Sequence, residues 1–350
     1  MSQTTRYANV LVKIGAGRSE FLSESKFRGL TETNNLADLI SSLRESSYQQ
    51  EVAKVAPPLS SRKLERAFNE NLIGTYIKII MNSPKKTAEF LKNYLIRFEV
   101  ENIKTIIKAV NAELHLEQKQ AKIYFAPENY FNNLAIIEEA LRASSINQVV
   151  STLKKTKYSS ALKMGFKSYE ENTSTTCFDV LLDKYYYEEL WAAFQSLPKK
   201  EKPHAYPYVS FQVDSYVLLM LLRSKLLNYD SNWLRIALPT RRFRLSDKTT
   251  EDIISSADFE SALKIVLKTS YAKYFDKTQS SQETISLAEN AFEKAILKQA
   301  KETRFKEIFN VGAVLAFLTK KSFEVRNLTT VSLGVEYGKK PEDIERQLLF

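Results

Sequence analysis

A chain of 350 residues that is 44% hydrophobic and 26% charged has the composition of a folded protein, and its 8 glycines and 9 prolines are too few for the many tight turns of a strand-rich fold. The single cysteine, Cys177, excludes an intrachain disulfide; its neighbours Phe178, Val180 and Leu181 predict a buried thiol, suited to a reducing compartment. The net charge of +10 favours an acidic partner or surface (nucleic acid, lipid headgroups or an acidic protein), although 41 acidic residues lie scattered among the 51 basic ones.

In chain order, residues 1–12 lack the apolar core of a signal peptide. Gly15 and Gly17 predict a kink or break in the first helix. Thr31, Ser60 and Ser83 are candidate helix N-caps, and Pro84 and Pro341 sit where a first helical turn tolerates proline. Leu64, Phe68, Leu72, Tyr76 and Ile80 recur every fourth residue, with Ile73 and Ile77 beside them. Ile103, Ile106, Ile107, Val110 and Leu114 follow the i, i+3, i+4 pattern of one buried helical face. The best strand candidate, 206–213, is short. The longest apolar run, 216–222 between Asp214 and Arg223, falls far short of the roughly 20 residues of a membrane span, so any membrane association goes through a protein partner. Arg241, Arg242 and Arg244 form the densest basic cluster; it and the groups Lys154, Lys155, Lys157 and Lys199, Lys200, Lys202 read as solvated surface.

The chain also repeats. Phe98-Glu99-Val100-Glu101-Asn102-Ile103 is echoed by Phe211-Gln212-Val213-Asp214-Ser215-Tyr216 and by Phe323-Glu324-Val325-Arg326-Asn327-Leu328, at steps of 113 and 112 residues. Leu43-Arg44-Glu45-Ser46-Ser47-Tyr48 resembles Leu153-Lys154-Lys155-Thr156-Lys157-Tyr158 and, one residue shorter, Leu267-Lys268-Thr269-Ser270-Tyr271. An apolar and acidic helical stretch precedes each hexapeptide, at 65–72, 178–185 and 289–297. Three copies of a unit of about 112 residues follow, broken near Ser144 and near Ser255-Ser256. Each is a short helix ending in tyrosine, a longer helix, then the hexapeptide helix. The expectation is an all-α fold of three similar helical domains, 1–144, 145–255 and 256–350.

Enzyme signatures are missing. His115 and His204 stand apart from each other and from Cys177, which disfavours a zinc site and a catalytic triad. Gly334-Val335-Glu336-Tyr337-Gly338-Lys339-Lys340 has three residues between its glycines and Lys340 where a phosphate loop needs a hydroxyl, so it reads as a helix C-cap at Gly334 or Gly338. The pairs Glu138-Glu139, Glu170-Glu171 and Glu188-Glu189 do not converge on one helical face. Tyr185, Tyr186, Tyr187 and Trp191 sit at helical spacing with Leu181, Leu182 and Leu190, as packing residues do.

The chain resembles the C subunit of archaeal A-type ATP synthases, a family similar to the d subunit of vacuolar ATPases. The resemblance runs from Tyr7-Ala8-Asn9-Val10-Leu11-Val12 through Glu99-Val100-Glu101-Asn102-Ile103. It is most specific at Phe309-Asn310-Val311-Gly312-Ala313, at Glu324-Val325-Arg326-Asn327-Leu328 and at Pro341-Glu342-Asp343-Ile344. Asn310 and Ala313 replace a usual glycine and proline, and Gln212 and Ser215 depart from the pattern in the middle copy. The resemblance implies a pseudo-threefold funnel of helical domains, with no cofactor, metal or nucleotide and no catalysis. Its mouth would receive the central rotor shaft and its base would sit on the cytoplasmic face of the membrane ring, transmitting torque. Glu99, Glu101, Lys104, Asp214, Arg223, Glu324 and Arg326 are then the candidate shaft-facing residues, each with an intra-subunit ion pair as its other reading. The competing function is a basic helical nucleic-acid-binding protein, which needs a contiguous positive face.

Overall fold

A computed structural model describes residues 3–276, 280–303 and 309–350; Met1 and Ser2 of the N-terminal stretch lie outside them. Among the described residues all regular structure is helical, as scarce turn residues and helical periodicity predict. The strand candidate at 206–213 is instead part of the helix Lys202–Leu226, where Ala205, Val209, Val213 and Val217 recur every fourth residue and are buried.

Each copy contains two short helices and, after them, two long ones, with further helices between and beyond them. The short pairs are Glu24–Thr31 and Leu36–Leu43, Leu134–Leu141 and Ile146–Thr152, and Asp247–Ser255 and Phe259–Val266. The long pairs are Ser61–Asn82 and Lys85–Asn111, Thr176–Ser196 and Lys202–Leu226, and Ser281–Thr303 and Val311–Glu336. The short helices keep a common register. Their caps Ser23, Asn133 and Ser246, then Asn35, Ser145 and Asp258, step by 110 and then 113 residues, as do Tyr48, Tyr158 and Tyr271. Five of these six caps accept a backbone N–H of the first turn. Asn133 turns its amide elsewhere.

The tyrosine of each copy stands in a turn five residues past the apolar residue that closes its short helix, not at the end of the helix. Ser46, Thr156 and Thr269 donate their hydroxyls to the carbonyls of Leu43, Leu153 and Val266 at 2.6, 2.7 and 2.7 Å. The same hydroxyls accept the N–H groups of Tyr48, Tyr158 and Tyr271 at 3.2, 3.3 and 3.2 Å. The third turn therefore begins at Val266 and is as long as the other two.

The second long helix of each copy ends in a left-handed stop. Glu113, Asn228 and Gly338 have φ of 52°, 53° and 61°. The next residues, Leu114, Tyr229 and Lys339, donate their N–H groups back to Ala109, Ser224 and Gly334 at 3.0, 3.0 and 2.9 Å. The glycine expectation holds at Gly338, where the backbone is left-handed. Leu114 lies past such a stop, while Ile103, Ile106, Ile107 and Val110 are buried as predicted.

The chain forms two compact units. One comprises Met1–Leu95, Tyr124–Phe131 and Leu297–Phe350, and the other Ile96–Ile123 and Asn132–Ile296. In the first, Ser61–Asn82 packs on Val311–Glu336, burying the expected stripe Leu64, Phe68, Leu72, Tyr76 and Ile80. In the second, Val217, Leu221, Leu263, Val266 and Phe292 share one core. Three local expectations fail. Ser60 does cap a helix, but Thr31 is the last residue of one and Ser83 follows another, each bonding back to the preceding turn. The helix Gln3–Ser19 runs through Gly15 and Gly17 unbroken; a Cβ on Gly17 would lie 2.7 Å from the Phe317 ring, so that glycine permits close packing.

Candidate functional site

Three carboxylates from the predicted set, Glu99, Asp214 and Glu324, are buried at 1%, 0% and 6% exposure. Burying a carboxylate is tolerable only with donors around it, and each has three. Glu324 accepts the Tyr48 hydroxyl at 2.7 Å, the Leu22 N–H at 2.7 Å and the Lys321 ammonium at 2.9 Å. Glu99 accepts the Tyr158 hydroxyl at 2.9 Å, the Lys157 ammonium at 2.7 Å and the Asn133 amide at 2.6 Å. Asp214 accepts the Tyr271 hydroxyl at 2.7 Å and the N–H groups of Phe243 and Arg244 at 2.9 and 2.7 Å. The second long helix of each copy is thereby fastened to the segment around the short-helix pair that follows it in the repeat, the last one to that of the first pair of the chain. Burial, then the facing carboxylates, push the Tyr48 and Tyr271 hydroxyls above their ordinary range.

The carboxylates also correct the repeat register. Glu99, Asp214 and Glu324 step by 115 and 110 residues, and so do the left-handed stops at Glu113, Asn228 and Gly338. The middle hexapeptide is thus offset by two: Asp214, not Gln212, is the counterpart of Glu99, and the Gln212 Oε1 is buried without a hydrogen-bond partner.

Lys104 is buried as well, at 7% exposure, between Glu101 at 2.9 Å and Asp183. Burial works against its ammonium, but Asp183 and Glu101 hold its pKa above the ordinary value. Burial pushes the Asp183 carboxyl up to about 6 despite Lys104, with Glu101 and Asp179 adding repulsion. Four of the seven expected shaft-facing residues, Glu99, Lys104, Asp214 and Glu324, are therefore buried with partners inside the chain, the other reading given for each. Glu101 and Arg223 are exposed and Arg326 is half-buried. Arg223 pairs with Glu289, and Arg326 donates to the Gln347 carbonyl at 3.2 Å.

Sequence reasoning missed the partners. The tyrosines were visible as landmarks, but nothing local tied each to a carboxylate. Asn327 was visible only as part of the hexapeptide; it bonds reciprocally with the Leu349 carbonyl and N–H at 2.7 and 3.0 Å, fixing the C-terminal tail. Cys177 is buried as expected, its thiol 3.1 Å from the Gly165 carbonyl. Among the described residues no His, Cys, Asp and Glu cluster is arranged to hold a metal ion, and no helix is long and apolar enough to cross a membrane.

These buried acids fasten helices to helices within the chain, and known proteins share its sequence. Residues 10–347 match the ATP synthase (C/AC39) subunit family. The chain belongs to that family. It is similar to the C subunit of the A-type ATP synthase of Methanocaldococcus jannaschii, at 26% identity over 98% of this chain and 86% of that protein. It is also similar to the C subunits of the A-type enzymes of Thermococcus kodakarensis, at 23% over 97% of this chain and 90% of that one, and of Methanothermobacter thermautotrophicus, at 24% over 98% and 87%.

Asn310 and Ala313, the two C-terminal positions where the resemblance leads one to expect glycine and proline, meet in one hydrogen bond. Asn310 caps the helix Val311–Glu336 by accepting the Ala313 N–H at 3.2 Å. Proline at 313 would have no N–H to give, and glycine at 310 would have no side chain to receive it.

Proposed function

We propose that the chain is a non-catalytic subunit of an A-type rotary ATP synthase, the collar that couples the central shaft to the membrane ring and transmits torque. The observation that carries this reading is the match to the family over 10–347, with relatives that are C subunits of A-type ATP synthases matched along nearly their whole length. The three buried carboxylate–tyrosine bonds support it physically. A coupling element must resist deformation, and densely packed helices pinned by satisfied buried polar groups deform little. The internal repetition supports three similar domains around a pseudo-threefold axis. The net positive charge suits acidic neighbours on the shaft or near the ring. Of the expected shaft-facing set, the accessible Glu101, Arg223 and Arg326 remain the candidates for contact.

The decisive experiment is affinity purification of the tagged chain from gently solubilised membranes. Nucleotide-binding head subunits and the ring subunit should co-purify. Their absence, with the chain recovered alone or with nucleic acid, would end the proposal. Charge reversal at Arg223 and Arg326 should weaken binding of the isolated shaft subunits at low salt.

A further inference from the structure

Two basic clusters that lie forty residues apart in sequence meet on one aromatic platform. Phe243 stands between Arg242 and Arg244, and its ring packs on Phe194 at 5.3 Å and on Tyr206 at 5.5 Å. The Lys202 ammonium lies over the Phe194 ring at 5.9 Å. Arg244 covers Tyr206 at 5.6 Å and hydrogen-bonds with it, and Arg241 covers Trp191 at 5.6 Å. Lys199, just ahead of Lys202 in the chain, is exposed. Arg242 is committed to Asp247 and the Pro239 carbonyl. Arg241 and Lys199 meet no carboxylate among the described residues.

We propose that this platform is a docking site for an acidic protein segment, whose Asp or Glu carboxylates bind Arg241 and Arg244 edge-on and the lysines end-on. A guanidinium held against a ring has already lost part of its side-chain freedom, so a carboxylate pair forms at lower entropic cost. At Arg241 and Lys199, which have no acidic partner among the described residues, such a pair forms without breaking an internal ion pair. The arrangement speaks against two other polyanions. Cations lie over Phe194, Trp191 and Tyr206, which leaves less ring face for bases to stack on. The rings also lie beneath the charges rather than beyond them, so they do not reach into a bilayer's interfacial layer. The proposal does not depend on the rotary reading; it concerns which surface receives an acidic partner.

The test uses the full chain and a fluorescein-labelled oligo-aspartate peptide, read by anisotropy. Two double reversals of identical net charge are compared, Lys199→Glu/Arg241→Glu on the platform and Lys154→Glu/Lys155→Glu in another exposed basic cluster. The platform variant should bind about tenfold more weakly than the parent, and the other should stay within about threefold. Equal losses in both would overturn the proposal, because binding would then follow net charge alone. So would a selective loss for phosphatidylglycerol vesicles or single-stranded DNA with peptide binding unchanged. If the reversal fails to fold by circular dichroism, Lys199→Gln/Arg241→Gln carries the same comparison, with weaker but still selective loss expected.

Discussion

Glu324 takes the hydroxyl of Tyr48 across 276 residues of chain, whereas Glu99 and Asp214 take those of Tyr158 and Tyr271 across 59 and 57. The chemistry is the same in all three places: a buried carboxylate, a tyrosine and two further donors. The long-range closure in the first unit carries more loop entropy, roughly 1.4 kcal/mol by the logarithmic dependence on loop length. Its ammonium partner is also the more enclosed of the two lysines. Lys321 is buried, bonds Glu324 from one turn away and lies 4.0 Å from the centre of the Tyr48 ring, while Lys157 beside Glu99 is a third exposed. Where the chain separation is longest, the lysine that joins the closure is buried.

That contrast yields a ranking. Glu324→Ala leaves a buried ammonium and a buried hydroxyl without their acceptor and should cost about 3–5 kcal/mol. Glu99→Ala should cost less, because Lys157 can turn to water. Urea midpoints decide the matter, and equal losses would break the comparison. Limited proteolysis sharpens it: Glu324→Ala should expose both ends of the chain, Glu99→Ala neither.

The tyrosines should differ less than the acids. Phenylalanine at 48, 158 or 271 removes one donor of three, and each should cost about 1–2 kcal/mol. A much larger loss at Tyr48 alone would mean that the hydroxyl, not the carboxylate, holds the long-range closure.

Asp183 offers a pH test outside the closures. Its folded pKa, pushed up to about 6, exceeds the unfolded value, so the folded state binds the proton more tightly. Its contribution is greatest below the unfolded value of about 4 and declines as pH rises to 6, then stays level. Relative to Asp183→Asn, the parent should therefore lose stability between pH 4 and 6 in denaturant titrations. A flat difference would mean that the attraction of Lys104 fully offsets the burial of Asp183.

The smallest effect belongs to the coupled cap. Asn310→Gly should cost a few tenths of a kcal/mol to about 1 kcal/mol. Ala313→Pro should cost about as much in the parent but close to nothing in the Asn310→Gly background, where the bond between the two residues is already gone. Strict additivity of the two would show that they are independent changes.

Much of the local structure was legible. The spacing of Leu64, Phe68 and Leu72 is enough for an amphipathic helix, and the turn signature with its tyrosine recurs in register because hydroxyl, carbonyl and N–H all lie within six residues. The long helices misled, because a helix rotates its faces every residue: an alignment off by two positions looks plausible by residue type yet points Gln212 where Asp214 belongs. For the same reason charged residues on such helices read as an accessible face, although Glu99, Asp214, Glu324 and Lys104 are buried.

By itself the sequence determined the helical class, the threefold recurrence and the family, since these rest on composition, period and short motifs. The tertiary structure alone decided which acid pairs with which tyrosine, that the two ends of the chain meet in one unit, and that two basic clusters share an aromatic platform. The physical reason is that such pairings depend on where helices turn and how deeply they pack. A carboxylate looks the same in sequence whether water or a tyrosine hydroxyl receives it.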